Sequence, residues 1–220
     1  MFINGKPVES YGAVMLGTPR VSNAKYTSEY KYARTRSTVR HFAYEIGMKE
    51  IECNLAFFGK DIHEVQLKRS AFRAAMLGLL DISFKRDRFF YFAEYDGDTE
   101  FESEYDGVAV SKFQFHGVQH LPLYIVEARN FICSSTIPET DCRITTIATQ
   151  DADSATVGTV TFLSVAEGDV LRADGIDGTI TKNGQATEAE FIRLPYLKSG
   201  FNSVACPFDN ITVEYYPTFL

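Results

Sequence analysis

The residues able to do chemistry are sparse. His116 and His120, separated by three residues, would offer two imidazoles to one metal if they lay on a helix, but Gly117 and the β pattern before it argue for a strand. Zinc also wants more ligands than a pair. Asp96-Gly97-Asp98 supplies the hard oxygens calcium prefers, inside a run of seven acids without a base, Glu94, Asp96, Asp98, Glu100, Glu102, Glu104 and Asp106. Its order lacks the spaced acids, central Gly and distal Glu of an EF-hand loop, so it reads as a solvated hairpin. His41 and His63 read as ordinary surface or packed residues. The sequence holds no Gly-x-Ser-x-Gly elbow, no phosphate-cradling Gly loop ending in Lys-Ser/Thr, and no His-Glu-x-x-His. We therefore expect no enzyme, no catalytic residue, no cofactor and no metal.

The elements that must position any site are mostly strands. Of 220 residues, 45% are apolar and 14% aromatic, with 18 Phe, 12 Tyr and no Trp, a balance that favours packed β structure over helix or disorder. Near Asn4-Gly5 the start of the chain reads as a hairpin. Ile51, Cys53, Leu55 and Phe57 alternate with polar or small residues as a half-buried strand does. Asp61 then caps a helix expected over about 62–80, with Ile62, Val65, Phe72, Met76 and Leu79 near one face. Residues 88–95 and 108–116 are aromatic-rich strands on either side of the acidic run. A boundary is expected in 130–141, dividing the chain into domains 1–131 and 132–220. Beyond it, short strands near 143–149, 156–165, 169–173, 178–182, 189–194, 202–206 and 210–216 suggest a sandwich.

Charge is divided unevenly. Residues 1–131 carry 17 Lys+Arg and 17 Asp+Glu, so the whole net charge of -7 lies in residues 132–220. An acidic C-terminal third argues against nucleic acid as a partner, because phosphates need Lys and Arg to neutralise them. Between Arg20 and Arg40 stand six bases, one acid and the tyrosines Tyr26, Tyr30 and Tyr32, the pattern of an extended arm without a full apolar face of its own. The four cysteines form no Cys-x-x-Cys pair and are expected to be reduced and mostly buried. No charged-then-apolar leader and no apolar run of roughly 18 residues is present, so synthesis and folding in a cytoplasm, with no membrane partner, are expected.

Three stretches carry a resemblance: Asp177-Gly178-Thr179-Ile180-Thr181-Lys182-Asn183-Gly184-Gln185, then Phe191-Ile192-Arg193-Leu194-Pro195-Tyr196-Leu197-Lys198-Ser199-Gly200-Phe201-Asn202, then Asn210-Ile211-Thr212-Val213-Glu214-Tyr215-Tyr216-Pro217. With the opening Phe2-Ile3-Asn4-Gly5-Lys6-Pro7-Val8, their strand, Asn-Gly turn and Pro/Gly corner layout resembles the distal tail proteins (Dit family) of long-tailed bacteriophages. The resemblance implies a mainly β (α+β) chain, with an N-terminal barrel-like domain bearing one helix and a C-terminal galectin-like sandwich. It implies a structural hub at the virion tail tip, synthesised in the bacterial host cytoplasm. Six copies would form a ring through the first domain and join the tail tube to the tail-associated fibre-base protein. The second domain would project outwards, where receptor-binding or baseplate proteins could dock.

Two surface readings complete the expectation. In a ring, Tyr26, Tyr30, Tyr32, Arg34 and Arg36 of the arm could lie against the acidic hairpin with Glu100, Glu102 and Glu104, since opposite charge blocks fix register; alternatively both blocks are independent solvated segments. The second function class is a carbohydrate-binding module for the host surface, for which Arg193, Tyr196 and Phe201 are the one plausible cluster. Against it stand the missing Trp and the possibility that Phe191, Leu194 and Tyr196 simply pack the core.

Overall fold

The opening Asn-Gly pair turns the chain as its residue types dictate. In the computed structural model, which describes residues 1–24, 26–31, 40–84, 89–99, 102–105 and 107–219, strand β1 (Phe2–Ile3) pairs antiparallel with β2 (Lys6–Pro7). Asn4 and Gly5 sit at φ 51° and 74°, the two left-handed residues of a type I′ hairpin turn. Asn183 and Gly184 repeat the device at φ 54° and 77° in the second half of the chain. Contacts divide the molecule into two compact units, Met1–Gln119 and His120–Phe219.

In the first unit a 3-10 turn (Val8–Tyr11) leads into β3 (Ala13–Val21), β4 (Tyr26–Lys31), β5 (Arg40–Ile46) and β6 (Lys49–Phe58). Helix α1 (Ile62–Ala75) follows, then β7 (Leu80–Ser83), β8 (Phe90–Asp98), β9 (Glu102–Tyr105) and β10 (Val108–His120). The sheet order is β2-β1-β7-β8-β10-β6-β3, with β9 also on β10, and the sheet curls into a half-barrel. Alternation sends Ile51, Cys53, Leu55 and Phe57 of β6 and Ala109, Phe113 and Phe115 of β10 into one core. The helix closes that core with Val65, Phe72 and Met76. The Phe72 ring meets Phe113 edge-on at 5.0 Å and Phe57 at 5.6 Å, geometry that adds to the area it buries.

The helix is capped as expected, the Asp61 side chain accepting from the Glu64 backbone N–H at 2.9 Å, but it stops at Ala75 instead of running to 80. The reason is local. Leu77 and Leu79 are exposed around Gly78, whereas Leu80 is buried and already belongs to β7, so the apolar positions at 76 and 80 serve two different elements.

The second unit holds β11 (Tyr124–Val126), β12 (Asn130–Cys133), β13 (Glu139–Ile147), β14 (Ala152–Val157), β15 (Val160–Val165) and β16 (Val170–Asp174). They are followed by β17 (Thr179–Lys182), β18 (Gln185–Ala186), β19 (Ala189–Phe191), β20 (Tyr196–Lys198), β21 (Gly200–Ser203) and β22 (Ile211–Tyr215). One sheet runs β11-β22-β13-β16-β17-β18 with β20 on β13; β14-β15-β19 and β12-β21 form two smaller ones. All contribute to one core that includes Ile144, Val157, Phe162, Leu171, Val213 and Tyr215.

Two details differ from the sequence pattern. Residues 120–131 pair with the C-terminal strands, β11 on β22 and β12 on β21, so the unit boundary lies at 119/120 and not after 131. The Ser/Thr/Pro signals near 134–138 mark a turn inside the second unit. The apolar stretch 156–165 is likewise no single strand: Gly158, at φ 63°, turns it so that Val157 faces Val160 in the β14–β15 hairpin.

Candidate assembly surfaces

On the outer face of the first unit's sheet, register places side chains of β3, β6 and β10 in rows. Val14 lies opposite Ala56, and Ala56 opposite Val110; Phe58 lies opposite Val108. Val14 (38%), Leu16 (39%) and Phe58 (49%) remain exposed, giving one end of this face an apolar strip. The other end is charged. Glu52 sits between Arg20 and Gln114 in register, accepts from Gln114 Nε2 at 3.3 Å and pairs with Lys112 Nζ at 2.6 Å. The Lys112 hydrogen bond, the largest cause, holds its carboxyl below the usual range. Beside it a cavity of about 190 Å³ is lined by Glu50, Ile51, Glu52, Asp96, Gln114, Phe115 and His116. The apolar strip escaped the sequence reading, although Ala56 and Phe58, apolar on the strand's outward phase, were its signal.

The imidazoles of His116 and His120 serve different purposes. On a strand four residues span roughly 13 Å, too far to share a metal. His116 Nδ1 lies 3.4 Å from Asp96 Oδ2; His120 is buried, with Nδ1 2.8 Å from the Leu121 carbonyl and its ring edge-on to Tyr216. Among the described residues, no three His, Cys, Asp or Glu side chains converge on a metal position. All four cysteines are free and buried, and burial pushes the Cys53 and Cys142 thiols up to about 12, far from nucleophilic range.

The arm and the acidic hairpin are partly in view. Strands β4 and β5 pair only with each other among the described residues. Arg20 opposite Glu52, Val21 opposite Ile51 and Tyr26 opposite Ile46 keep one offset, so the arm continues the β3–β6 ladder in register. Tyr26 and Tyr30 fall on β4, and Glu102 and Glu104 on β9, which pairs with β10 at Val108 and Val110. Tyr32, Arg34, Arg36 and Glu100 lie outside the described residues.

One hairpin acid is already engaged within the chain. Asp98, its side chain 4% exposed, accepts from both Arg69 Nε and Nη2, from Arg73 Nε at 2.9 Å and Nη2 at 2.8 Å, and from the Tyr95 hydroxyl. Burial alone would raise its pKa, but the Arg73, Tyr95 and Arg69 hydrogen bonds outweigh that and hold the carboxyl below the ordinary range. The sequence signal was the four-residue spacing of Arg69 and Arg73, which stacks two guanidinium groups on one side of the helix.

In the second unit, Arg193 and Tyr196 do come together, the guanidinium carbon 4.0 Å above the ring centre. Arg193 Nη2 also pairs with Glu139 Oε2 at 2.6 Å. Phe201 is instead a cross-strand partner of Ile132 on the β12–β21 ribbon, both strongly exposed. Phe191 is exposed too and does not pack the core. The second unit also holds a buried clamp that the sequence reading missed: Asp174, fully buried, accepts from Arg143 Nε at 2.6 Å, Arg172 Nη2 at 2.7 Å and the backbone N–H groups of Ile176 and Asp177. Arg143 extends the clamp to Asp177 and Glu214.

No family model and no curated protein matches the chain. Solved structures do. The Dit protein of phage SPP1, described as a paradigm of the hub of the adsorption apparatus in phages infecting Gram-positive bacteria, aligns over 99% of this chain and 98% of its own, with a TM-score of 0.71 at 12% identity. A chain of the phage P2 baseplate in its activated conformation with calcium aligns over 93% and 90%, with a TM-score of 0.50 at 12% identity. The fold is therefore a Dit-like β fold over the whole length of the chain.

Proposed function

We propose that this protein is a structural component of a phage or prophage tail tip, a distal tail hub whose copies assemble into a hexameric ring through the first unit and join the tail tube to the baseplate or fibre-base protein. The observation that carries this reading is the near end-to-end similarity to the SPP1 hub protein, which spans both units. Within the ring, Tyr26, Tyr30, Tyr32, Arg34 and Arg36 would be supplied by the arm. Glu100, Glu102 and Glu104 would serve as counter-charges, Asp98 being engaged within its own chain. The second unit would face outwards, towards further baseplate or receptor-binding proteins.

Native mass spectrometry and negative-stain images of the purified chain, together with immunogold labelling of intact virions, test the reading. Six-fold rings and label at the tail tip are expected. A monomer at every concentration and no label on tails would overturn it. For the carbohydrate alternative, binding to host cell-wall glycans that is abolished by Arg193→Ala or Tyr196→Ala is the required result. We expect none, because Arg193 already covers one face of Tyr196 and is held by Glu139.

A further inference from the structure

Lys49 opens β6 in phase with Ile51, Cys53, Leu55 and Phe57, so the alternation that builds the core of the first unit turns its side chain inwards as well. Only 5% of the residue is exposed. Lysine is almost never buried to this degree without a partner. Asp174, the other deeply buried ion, is met by two guanidinium groups. Lys49 is met by none of the described residues: no hydrogen bond and no ion pair joins it to them.

Its neighbours explain why. The cross-strand residue on β10 is Gly117, which brings no side chain and has no space for one: a Cβ there would stand 2.7 Å from the Phe92 carbonyl oxygen and 2.7 Å from Ala93 Cβ. Towards β3 the strands are closed by Ser22, whose N–H donates to the Glu50 carbonyl at 2.9 Å and whose hydroxyl accepts from the Glu50 N–H at 2.9 Å. The acids next in sequence, Glu50 and Glu52, fall on the opposite phase of the strand, and Glu52 is held by Lys112. A lysine that merely covers its stem keeps its head in water and its ordinary pKa. Burial instead lowers the pKa of Lys49, with no charged group opposing the shift.

We propose that Lys49 is a binding site for one carboxylate supplied by a protein side chain from outside the folded chain. Burying the ammonium alone is a cost to the isolated molecule, and an ion pair offsets that cost only once the counter-charge has arrived. One carboxylate matches one ammonium, whereas a phosphate dianion would leave a net charge buried at the end of the sheet. Each copy of the chain carries 29 Asp+Glu against 22 Lys+Arg, so a second copy is able to supply the acid, as is a different acidic protein. The site does not depend on the hub reading, which bears only on which of these two sources is used.

The test follows Lys49 by NMR in the full chain, labelled with carbon-13 at the lysine Cε and assigned by the signal missing from Lys49→Met. In dilute protein with sodium chloride, Lys49 should titrate below the other lysines; titration together with them would show a solvated head and overturn the proposal. Sodium acetate in place of chloride, at equal ionic strength, should raise the Lys49 midpoint by at least about 0.5 pH units, roughly a threefold gain in proton affinity, and leave the other lysines in place. The absence of a selective rise would also overturn it. A further rise as copies assemble at high protein concentration assigns the carboxylate to a second copy; an acetate response that assembly does not reproduce assigns it to a different protein. A chain that never assembles removes the hub reading and leaves the acetate result standing. Lys49→Met should also raise the melting temperature of the dilute chain, because an unpaired buried charge gives way to an apolar side chain of similar length. A lower melting temperature would mean that the ammonium is already paired within the chain, and the proposal would fall.

Discussion

Asp98 in the first unit and Asp174 in the second are both carboxylates buried between two arginines, yet their partners differ. Asp98 receives its guanidinium groups from a single helix, through Arg69 and Arg73, and so fastens α1 to the end of β8. Asp174 receives Arg143 from β13 and Arg172 from its own strand, binds the backbone of the following turn, and through Arg143 reaches Glu214 on β22. The first clamp joins a helix to a strand; the second locks neighbouring strands of one sheet. The units also differ at their surfaces. The first combines an apolar strip with an arm that pairs only with itself among the described residues, whereas the exposed apolar residues of the second, such as Ile132, Phe201 and Ile192, lie on ribbons and turns. The lesson is that similar buried charge clusters can fasten a helix to a strand in one unit and strand to strand in the other.

Breaking the second clamp should have the largest effect. Asp174→Ala removes the acceptor of Arg143 Nε, of Arg172 and of two backbone N–H groups, and a loss of about 3–5 kcal/mol is expected, the range for a buried pair with one partner removed. Hydrogen exchange should localise the loss to residues 120–219. Protection lost equally in both units would show that the clamp is not local. Asp98→Ala should cost less, about 2–3 kcal/mol, since Arg73 is 45% exposed and regains solvent. Its exchange signature should appear in α1 and β8. If it matched or exceeded that of Asp174→Ala, the contrast between the two clamps would fail.

Acid should sharpen the comparison. Both carboxyls are held below their ordinary range, so the unfolded chain binds protons first as pH falls; the stabilisation is complete above about pH 4 and is lost below it, as the folded groups titrate. Melting temperatures taken from about pH 7 to about pH 3 should stay flat and then drop. Asp174→Asn and Asp98→Asn should each flatten part of that drop; an unaltered acid slope in both would assign it to other groups. Last, Arg193→Ala should leave the melting temperature essentially unchanged, because its pair with Glu139 and its stacking on Tyr196 lie at the surface, where solvent screens them. A large drop in melting temperature would mark the Arg193 surface as structural.

Several features were legible in the residues because they depend on neighbours along the chain. The two Asn-Gly turns, the Asp61 cap and the alternation of Ile51, Cys53, Leu55 and Phe57 follow from backbone sterics and strand periodicity, which no distant contact overrides here. The helix end, the unit boundary and the split of 156–165 were not legible. Each turns on a choice between partners far apart in sequence: Leu80 could extend a helix or enter a strand, and residues 120–131 could close the first unit or pair with 200–215.

The sequence by itself determined a β-rich chain with one α-helix among the described residues, a segment rich in tyrosine and base at 20–40 and an acidic run at 94–106, because composition and period fix which element each segment can form. Only the tertiary structure decided that Asp98 and Asp174 are consumed by internal arginines, that His116 and His120 serve different neighbours, and that Val14, Leu16 and Phe58 make one exposed strip. The physical reason is that charge pairing and surface continuity depend on strand order and register, which are set by the packing of the whole core and not by any local run of residues.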